Sequence, residues 1–381
     1  MRLCVVSGTF HPEPGGPPTF LYRLLPELIQ RGYTIHVVTY GDRVDPTDYP
    51  YAVTRISRSQ PIPFRLIQMS LTILRVAREV DAIFVSDYGL PVATINLLLR
   101  KPTLLKNVGD FAWEFSTRHN WIPRGQTIDE FQTATHSPRV NFLRAVQRWY
   151  TAAAATVIAP SRYSASLVTG WGIDSNRVRV IYNALDPIQN LPSRDQARRD
   201  LHINFPLILT VARLAPWKGT DKVIRAFVSV REKFPTARLI VIGDGPEYAN
   251  LQSLISDLGD AVTLLGAQPP HVVHRYLRAA DVFVLFSTYE GLPHTVLEAM
   301  QAETPVIVSD AGGNLEVVEN GITGWVVNKR DEAGLAAAVA DVIAHPESAA
   351  ARAQAASSKL DRFSWSHLVN EYDHALQELI Q

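Results

Sequence analysis

The chain holds a single cysteine, Cys4, so no disulfide can form within it. Cys4 lies in the apolar run Leu3–Ser7 and reads as a small buried hydrophobe rather than a reactive thiol. An excess of either charge is also absent. The 37 Lys and Arg are matched by 37 Asp and Glu, which excludes the large basic excess of a general nucleic-acid binder. The most apolar stretches, such as Thr151 to Ala159, fall far short of the ~18–20 residues that a membrane span needs. Met1 to Ser7 is too short for a signal peptide and reads as a first strand. With the lone cysteine, this predicts a cytoplasmic protein, leaving open a peripheral position at the inner face of the membrane. Asp-x-Asp, Gly-x-Gly-x-x-Gly and a Walker phosphate loop occur nowhere.

What remains is a folded protein of 381 residues, 46% hydrophobic and 19% charged. That length allows two domains at ~150 residues each. The neutral total hides an asymmetry: residues 1–190 carry 20 Lys and Arg against 14 Asp and Glu, a net of +6, and residues 191–381 carry −6. Two domains attracting each other across a cleft would explain it. So would a first domain that meets an anionic acceptor or a membrane surface.

Short apolar strands alternate with amphipathic stretches throughout. In the first half the pattern predicts strands at Leu3–Ser7, Ile35–Tyr40, Ala82–Ser86, Thr103–Lys106, Thr156–Ala159 and Val178–Tyr182. Helices are predicted at Thr19–Arg31, Leu66–Arg78 and Pro91–Arg100. The second half repeats the rhythm with strands at Leu207–Val211, Arg238–Ile242, Val262–Leu265, Val282–Phe286 and Val306–Ser309, and helices including Asp221–Lys233 and Thr295–Ala302. This predicts an α/β protein of two doubly wound Rossmann-like domains, residues 1–190 and 191–363, joined near Asn190–Ser193. A last amphipathic helix over about 364–381 could stay with the second domain or cross back to the first.

Turn-rich segments follow several strands, where open α/β sheets bind ligands. The loop from Gly8 to Pro18 contains Gly15 and Gly16, which allow close backbone approach ahead of a helix start; a flexible surface turn would look the same. Arg213 and Lys218 flank the turn after Val211, suited to clamp a diphosphate, although two solvated surface cations would also fit. Gly243-Asp244-Gly245-Pro246-Glu247 either brings backbone near a nucleoside or only connects strand to helix. The strongest block runs from Glu290 to Glu298. Pro293 suits a first helical turn, and N–H groups from Leu292 through His294 and Thr295 to Val296 would face a phosphate. Glu298 could accept bonds from a ribose diol and Glu290 would reach a sugar, or the two could be plain capping charges at a helix start. Asp310–Gly313 closes the same rim.

With Glu-x(7)-Glu, the Arg…Lys pair, the Gly-Gly loop and Gly-Asp-Gly-Pro-Glu in this order, the sequence resembles the family-four retaining glycosyltransferases over nearly its whole length. The resemblance implies a B-type fold, with two Rossmann-like domains facing across a cleft and the final helix crossing back to the first. It implies a nucleotide-diphosphate sugar donor, UDP- or GDP-linked, bound mainly by the second domain, and a glycan, lipid-linked or small-molecule acceptor bound by the first. Carried over by residue, Arg213 and Lys218 match the diphosphate clamp, Glu298 the ribose ligand, Glu290 the carboxylate near the sugar, and Gly16 the loop glycine that meets the donor. Where many relatives place a histidine, this chain offers Asp110, as a sugar contact, a base, or a helix cap; Trp113 could wall a sugar pocket.

No cofactor and no essential metal are expected. The metal-dependent A-type enzymes hold their ion with Asp-x-Asp, whereas Arg213, Lys218 and helix N–H groups can neutralise a diphosphate here. His271 and His274 lack the partners of a metal site. A sugar-nucleotide epimerase and a non-catalytic sugar-nucleotide binder share enough of these features to stand as alternatives. Phe64–Val80, basic and strongly apolar, reads as a sheet-covering helix or as one that lies on a membrane.

Overall fold

The structure, a computed structural model, describes residues 1–13, 15–42, 49–87 and 89–380. The chain divides into two compact units, Met1–Tyr182 with Ser366–Gln381, and Asn183–Trp365.

The first unit is built on seven parallel strands: β1 (Arg2–Ser7), β2 (Thr34–Tyr40), β3 (Ala52–Ile56), β4 (Ala82–Ser86), β5 (Thr103–Lys106), β6 (Thr156–Ala159) and β7 (Val178–Val180), in the order β3-β2-β1-β4-β5-β6-β7. Leu3 to Val6 have no exposed surface, as expected of a strand paired on both edges and covered on both faces. β3 is absent from the sequence-based pattern because it is an edge strand, only half-buried, with Thr54 and Arg55 breaking its apolar run. The first helix begins at Gly16, ahead of the expected Thr19. Pro17 and Pro18 sit in its first turn, where a missing N–H costs nothing.

The second unit repeats the plan with β8 (Leu207–Val211), β9 (Arg238–Ile242), β10 (Val262–Leu264), β11 (Val282–Leu285), β12 (Val306–Ser309) and β13 (Trp325–Val327), ordered β10-β9-β8-β11-β12-β13. β13, another partly exposed edge strand, also escaped the pattern. Helix Thr220–Lys233 buries Val223, Ile224, Phe227 and Val230, a 3–4-residue repeat, against Leu239, Val241 and Val284 of the sheet and Phe286 just beyond β11. In each sheet the strand order reverses beside the unit's first strand, between β1 and β4 and between β8 and β11.

The division at Tyr182–Asn183 lies ahead of the stretch expected to hold the joint. Leu185 N–H donates to the Phe363 carbonyl at 2.8 Å and Ile188 N–H to Gln301 Oε1 at 3.2 Å, which ties this segment to the second unit. The final helix, Trp365–Glu378, packs in the first unit. Its Tyr372 ring lies 5.3 Å from Phe20 and 5.7 Å from Phe84. Asp373 accepts a hydrogen bond from the Tyr33 hydroxyl at 2.6 Å and pairs with Arg31 at 2.9 Å. Among the described residues, no helix is long and apolar enough to cross a membrane.

Candidate functional site

In the second unit, the segments after β8, β9, β11 and β12 are tied to one another at the carboxyl ends of their strands. After β8 the chain makes one tight turn, Pro216–Lys218, and leaves it through Gly219 at φ +64°. A Cβ on Gly219 would stand 2.1 Å from the Phe286 carbonyl oxygen, so only glycine fits. This approach lays the β8 turn on the β11 turn, where Thr288 N–H donates to Trp217 O at 2.8 Å. It also brings Lys218 to Glu290: Nζ donates to Oε1 at 2.7 Å, and Ser287 Oγ donates to the same oxygen at 2.6 Å. Glu290 is buried. Arg213 is exposed and does not share this carboxylate.

The β9 turn is held just as closely. At Gly243, φ is +144°, and a Cβ there would fall 1.8 Å from Ala212 O. Leu214 N–H donates to Asp244 O and Glu247 N–H to Leu214 O, at 2.9 and 3.0 Å. The Gly-Asp-Gly-Pro-Glu turn therefore fixes the loop that carries Arg213, beyond joining strand to helix. On the other side Gly313 N–H donates to Glu290 O at 2.8 Å, with Gly291 O too close to admit a side chain at Gly313.

The helix His294–Gln301 starts one residue ahead of the expected Thr295, with Pro293 in the capping position rather than in the first turn. Val296 N–H already donates to Pro293 O at 3.1 Å, which shortens the row of donors expected from Leu292 to Val296. His294 is exposed and Leu292 and Pro293 are buried. One turn in, burial raises the Glu298 carboxyl from its ordinary 4.5 to about 7.

Three residues that sequence reasoning missed complete this layer. Besides Ser287, Ser309 Oγ donates to Ser287 O at 2.6 Å, and Asn314 Nδ2 donates to Ser309 O at 3.0 Å. Asn314 is fully buried, and its Oδ1 has no hydrogen-bond partner among the described residues. Ser287, three residues before Glu290, is the only one with a readable position.

In the first unit the loop after β1 is anchored at Gly8, His11 and Glu13. Arg58 bonds Gly8 O at 2.8 Å and pairs with Glu13 at 2.8 Å, Arg55 donates to His11 O, and the His11 ring stacks on Tyr22 at 3.9 Å. Gly15, at φ +141°, precedes the helix, and both it and Gly16 are exposed. Pro14 lies outside the described residues.

Of the three roles the sequence left open for Asp110, the structure shows the helix cap. Asp110 caps helix Phe111–Arg118: Oδ1 accepts from Trp113 N–H at 3.0 Å and Oδ2 from Gln132 Nε2 at 2.8 Å, while Gln147 also donates to the carboxylate. It is 2% exposed, and burial pushes its pKa up. Trp113, at 1% exposed, is core rather than a pocket wall. A different pair occupies the ends of β4 and β5. Asp87, at φ +77°, accepts from Gly8 N–H at 2.9 Å, and burial raises it to about 6. Burial lowers nearby Lys106 to about 7, with its ammonium 3.3 Å from the Phe20 ring centroid. His274 is lowered by burial and by His271. Among the described residues no three His, Cys, Asp or Glu converge on a metal position.

Sequence comparison matches residues 14–189 to the Glycosyltransferase Family 4 model and residues 193–359 to the Glycosyl transferases group 1 model. The chain belongs to the family-four type of glycosyltransferases. Gly15, Gly16 and Asp110 fall in the first match, and Arg213 through Glu298 in the second. An uncharacterized glycosyltransferase of Methanocaldococcus jannaschii is 27% identical over 259 residues, 65% of this chain and 60% of the relative. The GDP-mannose-dependent alpha-(1-6)-phosphatidylinositol monomannoside mannosyltransferase of Mycolicibacterium smegmatis is 35% identical over 42% of this chain and 44% of its own. The D-inositol 3-phosphate glycosyltransferase of Nocardia farcinica is 30% identical over 56% and 51%. The matched segments thus span 44–60% of these relatives. Among solved structures, Anabaena HepE in complex with UDP and glucose superposes with a TM-score of 0.78 at 21% identity, covering 99% of this chain and 100% of that one. Sucrose-phosphate synthase of Thermosynechococcus elongatus gives 0.77 at 20%, covering 99% and 98%. At this identity the glycosyltransferase structures share the fold.

Proposed function

We propose that this family-four glycosyltransferase moves a sugar from a UDP- or GDP-linked donor to a hydroxyl of a glycan, lipid-linked or small-molecule acceptor, with retention at the transferred carbon. The observation that carries the reading is the Lys218–Glu290 pair, seated where β8 and β11 meet at the reversal of strand order. The relatives' names, one GDP-mannose-dependent and one structure holding UDP and glucose, agree with a nucleotide-sugar donor.

In this reading Arg213 and Lys218 bind the diphosphate and Glu298 takes the ribose diol. Backbone at Gly243 and at Leu292 to Thr295 lines the donor, with His294 at the helix start. Glu290 orients the sugar and holds Lys218 in place through their 2.7 Å bond. Gly15 and Gly16 form the loop that the family pattern gives to the donor. The bond from the sugar carbon to the diphosphate oxygen breaks as the acceptor oxygen bonds to that carbon from the same face. The acceptor proton passes to a diphosphate oxygen, and the two cations stabilise the charge that leaves. This needs no divalent ion. Asp110, committed to its cap, positions the first unit's helix and takes no part in proton transfer.

The test is nucleotide release from a panel of UDP- and GDP-sugars, with and without candidate acceptors. Release that depends on acceptor supports transfer. An altered nucleotide sugar formed without acceptor would make the protein an epimerase, and binding without any turnover would make it a non-catalytic binder.

A further inference from the structure

Helix Ile62–Ala77 has two apolar faces. Met69, Ile73 and Ala77 are fully buried and cover the sheet. On the opposite side Phe64, Ile67 and Leu71 are 65%, 58% and 59% exposed. At 100° per residue these three, with the exposed Arg75 and Arg78, fall within about 80° of one another. A helix whose task is only to cover a sheet would be polar on that side.

The outward apolar character continues onto the neighbouring helices. Gly89–Leu99 packs against Ile62–Ala77 and leaves Leu97 and Leu98 64% and 75% exposed. Pro138–Ala152 packs against Gly89–Leu99 in turn and exposes Phe142 and Trp149. Large apolar side chains on three consecutive helices make a patch that a soluble monomer does not normally carry without a partner. Phe64, Ile67 and Leu71 also wall a groove of about 710 Å³ beside β2 and β3.

The charge of the same helices narrows the partner. Together they hold five arginines and no aspartate or glutamate. Arg75, Arg139 and Arg148 are exposed among the apolar residues, and Arg78 follows directly. A second copy of this face would set arginine against arginine, with Glu79 beside Arg78 as the acid at its edge. An anionic lipid surface satisfies both properties, taking the apolar side chains at the acyl boundary and the guanidinium groups at the phosphates.

We propose that the face formed by helices Ile62–Ala77, Gly89–Leu99 and Pro138–Ala152 docks on an anionic membrane. The proposal does not depend on the donor chemistry above. The probe is a set of vesicles of phosphatidylcholine, alone or mixed with phosphatidylglycerol, used in sedimentation with the full chain. Binding to the mixed vesicles at low salt, weakened at high salt and absent with phosphatidylcholine alone, is expected. Ile67→Glu/Leu71→Glu should weaken it about tenfold or more while the melting temperature holds. Arg75→Glu/Arg78→Glu, which touches no buried residue, gives a second reading if the first variant folds poorly. No binding to the mixed vesicles at low salt would overturn the proposal. So would full binding by both folded variants, or a dimer that Ile67→Glu/Leu71→Glu dissolves in a protein that ignores vesicles.

Discussion

Lys218 and Glu290 neutralise each other at 2.7 Å, although 72 positions separate them in sequence. Their side chains are 21% and 7% exposed, so neither charge has water as a full substitute. The glycine at 219 makes the pairing possible by letting the β8 turn lie on the Phe286 carbonyl. A donor diphosphate entering this site would compete with Glu290 for the ammonium.

Removing the ammonium should therefore register twice. Lys218→Ala leaves a buried carboxylate with Ser287 as its remaining bonded partner, at a cost of roughly 1–3 kcal/mol in stability. Donor binding should weaken about tenfold to a hundredfold, since charge-assisted bonds contribute ~1.5–3 kcal/mol. Arg213→Ala, at an exposed position, should lose donor affinity while its melting temperature stays put. Calorimetric titration with nucleotide and thermal melts read both effects, and native donor affinity in the two variants would defeat the clamp.

Glu298 sets a pH dependence. Its carboxyl is raised in the folded protein, from 4.5 to about 7. Between those values the folded chain holds a proton that the unfolded chain has released, so stability falls as pH rises from 4.5 through 7. In Glu298→Gln that part of the slope should vanish. A ribose diol donates to the ionised form, so nucleotide affinity of the native protein should rise from pH 6 to 8. A flat affinity profile would take Glu298 out of the ribose contact.

Turnover with a donor and acceptor in excess EDTA should match turnover with magnesium. The basis is the missing Asp-x-Asp together with the Arg213 and Lys218 cations. Activity lost in EDTA and regained only with a divalent ion would reverse this expectation.

Asp110→Asn should act on stability. The carboxylate receives donors from Trp113, Gln132 and Gln147, and an amide in its place turns an NH₂ toward other N–H groups. A loss of roughly 1–3 kcal/mol follows, with nucleotide affinity unchanged. An unaltered melt with turnover down tenfold would return Asp110 to the chemistry.

The strands buried on both sides were legible because a central parallel strand is a nearly unbroken apolar run, as in Leu3–Val6 and Val282–Leu285. Ala52–Ile56 and Trp325–Val327 were not, because an edge strand needs fewer apolar residues. Glycine and charged residues in turns marked Arg213, Lys218, Gly243 and Glu290. Their mutual contacts, and the ordinary serines and asparagine that brace them, depend on which strands become neighbours. Burial withdraws the pocket-wall reading of Trp113, and Asp110 shows the cap that the sequence set beside its two functional roles. Phe64–Val80 read as two possibilities because a sequence wheel shows both apolar faces and only packing tells which one is left outside.

The last helix has a consequence for the order in which the protein can be completed. Residues from Ser366 onward belong with the first unit, yet the whole of Asn183–Trp365 precedes them in the chain. A ribosome therefore finishes the second unit before it supplies the piece that closes the first. Until then Phe20, Phe84 and Tyr33 lack their contacts with Tyr372 and Asp373, and the Tyr372 ring is not yet near the Lys106 ammonium. The first unit of the chain to be synthesised is the last to be sealed.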